Sequence, residues 1–199
     1  MLTRSLAPNP KGKENMTMQI TTKRILLPII GILCFGLIGP SAQAADPIKI
    51  EMHKIDADGV GKSIGIITVS STPYGTLFTP DLKDLPTGLH GFHVHQNADC
   101  GPAEKDGKMV AGAAAGGHFD PDNTGVHKGP YEKGHLGDLP ALYVDEKGQA
   151  THPVLAPRIP MSYLKGRAVI IHAGGDNYSD EPEPLGGGGA RIACGIVEE

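Results

Sequence analysis

Histidine is the residue type whose spacing carries chemistry in this chain. All nine histidines of the 199 residues lie beyond residue 44. The tightest group is Gly91-Phe92-His93-Val94-His95. On a strand, residues two apart share a face, so His93 and His95 point one way while Phe92 and Val94 point into a core. His118, His127 and His135 follow in a glycine-rich stretch, Asp138 stands three residues after His135, and His172 closes a later apolar run. One H-x-H pair is ordinarily two solvated side chains; six histidines and an aspartate set among glycines read as metal ligands. With one carboxylate and no thiolate, the set excludes an iron–sulfur cluster. Three histidines with one aspartate form a closed tetrahedral set suited to structural zinc. An all-imidazole set on rigid strands suits copper(II). Seven ligands serving two ions of about four sites each require one imidazole to be shared. A shared ring uses both nitrogens, and two adjacent cations make that double deprotonation feasible.

Such ligands need short strands and long connections. Alternating or apolar runs predict strands at 48–52, 64–69, 74–82, 88–96, 166–172 and 190–197, with a hairpin of 141–145 and 149–152 around Glu146-Lys147-Gly148, eight strands in all. No segment sustains a 3.6-residue apolar period. Gly 28 and Pro 17 suit strands joined by specific loops and argue against an all-helical fold. Two segments, 97–140 and 173–189, carry no strand pattern. Loops of that length in a compact domain are usually functional or disordered, and the histidines and aspartate of the first argue for function.

The formal charge is -4, there is no Trp, and aromatics are 5%, so neither a basic footprint nor a stacking platform for nucleic acid is present. Lys23 and Arg24 precede an apolar run at 25–38, broken by Gly39-Pro40 and followed by Ala42-Gln43-Ala44. That is the layout of a secretory signal peptide. The run of 14 residues is short of the roughly 18 to 20 needed to span a bilayer, so no stable membrane anchor is expected. Cys34, preceded by Leu33, is a poor lipid-attachment site. The chain thus divides into 1–44, a signal peptide and upstream extension that is removed, and one domain at 45–199. Met1, Met16 and Met18 are alternative starts. The domain carries a formal charge of -8 and two cysteines, Cys100 and Cys194. An even count in an exported protein reads as a disulfide, with two free buried thiols as the alternative. In the chain-entropy picture, closing the 94 residues between Cys100 and Cys194 is worth roughly 4 to 5 kcal/mol.

Four stretches, GLHGFHVHQNADC (88–100), GGHFDPDNTGVHKGP (116–130), GHLGDLP (134–140) and HAGGDNYSDEPEPLGGGGARIACGIV (172–197), resemble the secreted bacterial copper–zinc superoxide dismutases. The resemblance implies an all-β fold, an eight-stranded antiparallel Greek-key barrel or sandwich with two long functional loops. It implies one copper, cycling between Cu(II) and Cu(I), and one Zn(II) per subunit. Copper would be held by His93, His95, His118 and His172, and zinc by His118, His127, His135 and Asp138, with His118 as the bridge. Asp176 matches the carboxylate that links a copper histidine, His93, to a zinc histidine, His127. Arg191 matches the active-site arginine, and Cys100 and Cys194 match the disulfide. The substrate would be superoxide, the location the periplasm, and the role protection of exported cell components. Bacterial members occur as dimers and as monomers, so a homodimer is open.

The implied roles agree with elementary chemistry. Zinc does not change oxidation state, so one-electron transfer falls to copper, and His118 would take a proton on the nitrogen that copper releases. A fixed guanidinium at Arg191 would orient a small anion. Lys105, Lys108, Lys128 and Lys133 lie in or near the first long loop and could supply a local positive field, although solvated lysines are as ordinary a reading. Two rival classes are a periplasmic metal-binding protein without catalysis and a secreted β-sandwich whose metals only staple loops; neither has a use for Arg191. A hydrolase lacks a free carboxylate base beside an open zinc position. His90 shares the inward face of its strand and reads as a buried structural histidine, His53 as a surface residue, and His152 as having no metal role. The acidic run 180–183 reads as a solvated loop, and 186–189 as flexible backbone rather than a phosphate loop.

Overall fold

The computed structural model describes residues 45–198; the leader proposed at 1–44, with Cys34, lies outside them. Eleven strands run through the described residues: β1 Ile48–Asp56, β2 Gly59–Thr72, β3 Gly75–Leu82, β4 Gly88–His90, β5 Phe92–His95, β6 Ala103–Lys105, β7 Lys108–Val110, β8 Leu142–Val144, β9 Val154–Ala156, β10 Arg167–His172 and β11 Arg191–Val197. The helical segments among them are short 3-10 turns, and none is long and apolar enough to cross a membrane. All pairings are antiparallel. One curled sheet runs β5-β10-β11-β1-β2-β3-β9, and β4 leaves it to pair with β8. Long connections return β10 beside β5 and β11 beside β1, a Greek-key arrangement.

The eight-stranded barrel is the observed frame, with β4 and β5 counted as one strand bent at Gly91 and the β6–β7 hairpin set aside in the first long loop. Two details differ from the sequence reading. That exposed hairpin is too short to show a period. The expected turn forms, Gly148 N–H donating to Asp145 O at 3.0 Å and Asp145 N–H to Gln149 O at 2.9 Å, yet past it Ala150 bridges to Leu82 and not to the 141–145 strand. The strand that follows is β9, beginning at Val154, on the edge of β3.

Alternation explains most of the core. In β1, Ile50 and Met52 point inward, whereas Ile55, past a shift of register at His53, turns to the opposite face. Ile50 and Met52 join Ile67, Val69, Phe78, Phe92, Val94 and Leu142 in the main cluster, and Phe78 meets Phe92 edge to face at 5.5 Å. Each large apolar side chain buried this way contributes about 1.5 to 3 kcal/mol. β10 is buried across both faces. Val169 and Ile171 enter the main cluster, whereas Ala168 and Ile170 enter a second one with Ile55, Cys100, Ala115 and Cys194. Ile170 stands opposite His93 on β5 and opposite Cys194 on β11. Cross-strand partners share a face, so His93 belongs to the outer row. That row is not solvated, because the loop after β5 is laid over it, and the Cys100–Cys194 disulfide, Cα–Cα 5.7 Å, fastens the loop there.

Candidate metal centre

β5 has β10 on one edge and no strand on the other. Two loop pieces take the vacant edge. Val94 N–H donates to Gly137 O at 2.9 Å, Phe119 N–H to Val94 O at 2.8 Å, and Gln96 N–H to Gly117 O at 3.1 Å. The resulting bridges set Asp138 opposite His93 and His118 opposite His95. A Cβ at position 137 would lie 2.2 Å from Val94 O, so only glycine lets the loop backbone come this close. The strand's own hydrogen-bonding edge therefore places His118 and Asp138 beside His93 and His95. His172 arrives from the end of β10, its N–H donating to Gly91 O at 2.8 Å.

His93, His95, His118 and His172 are buried, and one ligand atom of each lies within 4.8 Å of the others. One nitrogen of every ring is fixed. His93 Nε2 is 2.8 Å from Asp176 Oδ2, His95 Nδ1 is 3.0 Å from Gly116 O, His118 Nδ1 is 2.9 Å from Asp138 Oδ1, and His172 Nδ1 is 3.2 Å from Gly189 O. The other nitrogen, Nδ1 of His93 and Nε2 of the rest, is buried with no partner. A buried polar atom without a partner costs about 1 to 3 kcal/mol. Four of them on clustered rings fit a bound cation.

The second half of the cluster gathers around one carboxylate. Nδ1 of His118, His127 and His135 lies 2.9, 3.0 and 3.4 Å from the Asp138 oxygens. On this side the residues whose ligand atoms all lie within 4.8 Å of one another are His93, His118, His127 and Asp138, a set that does not include His135. Asp176 spans both halves, its two oxygens 2.8 Å from His93 Nε2 and 2.8 Å from His127 Nε2. It reaches them because Gly186, at φ +74, leaves room: a Cβ there would lie 2.0 Å from Asp176 Oδ1.

The charge states follow from burial and neighbours. Burial first, and then the charge of His118, holds His93 and His95 well below the ordinary 6.5. Burial brings His172 down to about 4. These are neutral imidazoles, the form that binds metal. Burial works to raise Asp138 and Asp176, but hydrogen bonds from the facing histidines outweigh it and hold both well below the carboxylate range. For His127 the two carboxylates overcome burial and lift it to about 9. A cation among these groups would take the place of their protons.

Arg191 enters from the start of β11. Its Nη1 donates to Gly112 O at 2.5 Å and its Nη2 to Gly116 O at 2.6 Å. Gly116 O also faces His95 Nδ1, so one carbonyl orients both the guanidinium and a clustered ring. The guanidinium charge helps depress His95 and His172.

The remaining histidines stand apart. His90 is buried with Nδ1 2.7 Å from His172 O and Nε2 2.8 Å from Pro86 O, bonded to backbone at both ends. His53 is half-buried on β1, Nδ1 3.2 Å from Gly61 O, and His152 is exposed beside Tyr143. Lys105, Lys108, Lys128 and Lys133 are exposed. Two sequence readings change. Asp180 is not simply solvated, since its carboxylate accepts backbone N–H groups of His127 and Leu185. Residues 184–187 form a 3-10 turn, and Gly186 and Gly188 are buried against the cluster. Sequence reasoning also missed Arg158, which donates to the carbonyls of Gly134, Gly129 and His135 at 2.8, 3.3 and 3.3 Å. An arginine after a short edge strand gives no signal of a loop it meets more than twenty residues away.

Comparison with known proteins agrees with this geometry. Residues 63–197 match the family described as copper/zinc superoxide dismutase (SODC). The copper–zinc superoxide dismutase 2 of Salmonella typhimurium is 53% identical over 178 residues, covering 88% of this chain and 99% of that protein. The copper–zinc superoxide dismutase of Brucella abortus superposes with a TM-score of 0.76 at 47% identity, covering 77% of this chain and all of that one. The monomeric copper, zinc enzyme of Salmonella enterica, solved in solution, gives a TM-score of 0.70 at 55% identity over the same shares.

Proposed function

The chain belongs to the copper/zinc superoxide dismutase family, and we propose that the seven-residue cluster is the centre at which it converts superoxide to molecular oxygen and hydrogen peroxide. It is a superoxide dismutase that uses one copper and one zinc. In this reading His93, His95, His118 and His172 hold copper, and His118, His127, His135 and Asp138 hold zinc. What supports the split is the set of unpartnered nitrogens. Among the described residues, His118 is the ring with Nδ1 turned to Asp138 and Nε2 left unpaired beside three other imidazoles, which is the disposition a shared ring requires.

Copper supplies the reversible one-electron step, and zinc supplies a fixed positive charge. The chain does the rest. Asp138 keeps Nδ1 of His118 on the zinc side, so that only Nε2 exchanges a proton; that atom delivers one of the two protons hydrogen peroxide needs. Asp176 fixes the ring planes of His93 and His127 from behind, as carboxylates do for metal-bound imidazoles. Arg191, its fork anchored on two carbonyls, holds positive charge beside the copper-side rings and orients a small anion there without having to be ordered at each encounter.

Residues 1–44 are proposed as an export signal. Export would place the enzyme in the periplasm, where a disulfide persists and where it would protect exported components from superoxide.

The test is the recombinant domain loaded with copper and zinc, with metal content and superoxide dismutation measured together. His118→Ala is expected to abolish dismutation and lower the occupancy of both ions. Intact copper and zinc content in that variant would rule out the shared ring.

A further inference from the structure

The second long loop grips the ligand-bearing loop at more than the Asp176 carboxylate. Asp180 Oδ2 accepts the backbone N–H of His127 at 2.8 Å, and Asp180 Oδ1 accepts the N–H of Leu185 at 3.2 Å. Asp176 Oδ1 faces Nε2 of the same His127 at 2.8 Å. His127 is therefore held at both ends by one loop, its main chain by Asp180 and its ring by Asp176. Among the described residues it is the one member of the seven held by carboxylates in both places. The exposed residues before His127 turn on the Asp120 carboxylate, which accepts the Gly125 N–H at 2.8 Å; at His127 itself the carboxylate of Asp180 is the acceptor found for the amide. The Leu185 bond matters as well. Leu185, at φ 55, begins the turn whose next residue is Gly186, the glycine that leaves room for the Asp176 carboxylate. The His127 amide is also the strongest influence on Asp180, holding its carboxyl below the ordinary range.

We propose that Asp180 is a positioning residue for the zinc side of the centre. It fixes the main chain of His127 and the 185–186 turn, so that His127 Nδ1 stays directed at the ion and Asp176 stays behind Nε2. The inference rests on the reading that His118, His127, His135 and Asp138 hold zinc. It concerns a residue with no place in the ligand set, in a run that the sequence alone offers as solvated surface.

The test uses the full domain, with zinc affinity measured by competition and with Co(II) bound at the zinc side as a spectroscopic reporter. Asp180→Ala is expected to weaken zinc binding about tenfold, the lower end of what loss of an outer hydrogen-bond partner costs. It should also shift the visible Co(II) bands and leave copper affinity unchanged. Asp180→Asn keeps one side-chain oxygen for the His127 amide but turns an NH2 toward the Leu185 N–H, and should recover part of the affinity and move the Co(II) bands back toward the parent. His135→Ala serves as the control. If His135→Ala abolishes zinc binding while Asp180→Ala changes neither affinity nor spectrum, the role of Asp180 is overturned and the zinc site stands. If zinc binding survives His135→Ala as well, the zinc site itself is wrong. A third result also overturns the proposal: Asp180→Ala lowers the stability of metal-free and zinc-loaded protein equally, with the Co(II) bands unmoved.

Discussion

The strand-borne and loop-borne halves of the centre are held by different physics. His93, His95 and His172 ride on β5 and β10, whose ladder and two apolar clusters are built from backbone and apolar side chains and use no ligand atom. His127, His135 and Asp138 ride on a loop. That loop is stitched to β5 at 117–119 and 137–139 and ties itself by a few bonds such as His135 N–H to Val126 O; around His127 and His135 it is otherwise gripped by Asp176, Asp180 and Arg158 acting on single atoms. Copper-side geometry is thus a property of the barrel, whereas zinc-side geometry is a property of a few charged contacts. Folding and metal binding should be coupled mainly in the second half.

The largest test of that contrast is the disulfide, which ties the covering loop to β11. Replacing Cys100 and Cys194 together by Ala should lower the stability of the metal-free domain by roughly 4 to 5 kcal/mol, read from denaturant midpoints. Hydrogen exchange should then rise first in the loop between β5 and Ala115, before β5 and β10 lose protection. A uniform rise across loop and strands would erase the distinction between the halves. Asp176→Asn should have a smaller and more selective effect. His127 depends on Asp176 for its ring orientation, while His93 keeps its strand pairing. Zinc affinity should fall about 10- to 100-fold and copper affinity by less. Equal losses in titrations of the two metals would show that the strand does not protect His93.

The same contrast explains what the sequence revealed. Period-2 alternation and the H-x-H spacing locate β5 and the faces of His93 and His95, because a strand's geometry is written locally. The motif resemblance supplied the candidate partners and the Cys100–Cys194 pairing. Burial of the His93 face was not legible, because it depends on a loop folding back over the sheet and on Ala115 and Cys100 meeting Ile170. Asp180, Arg158 and Gly186 were missed for a related reason. Each acts through one or two contacts with residues far along the chain, and no local pattern encodes such a meeting. The replacement of 149–152 by β9 is a tertiary choice of the same kind, settled by which segment lies along the edge of β3.

The last test is the sharpest separation of the halves, because they titrate in opposite directions in the metal-free protein. His93 and His95 lie well below 6.5 and His172 lies at about 4. Between about 4 and 6.5 the unfolded chain therefore binds protons that the folded strand half refuses, and stability falls as pH falls through that window. His127 is raised to about 9. Its contribution is fully present below 6.5, where both states are protonated, and is lost as pH rises from 6.5 through about 9. The depressed Asp138 and Asp176 add a further loss only at pH values below the ordinary carboxylate range. Metal-free protein should accordingly be most stable near pH 6.5 and decline on both sides. His172→Gln should make the acid limb shallower, His93 and His95 still shaping it, and leave the alkaline one, and His127→Gln should flatten the alkaline limb and leave the acid one. If urea midpoints across pH show both limbs responding to either substitution, the two halves form one electrostatic unit, and the division between barrel-held and charge-held ligands fails.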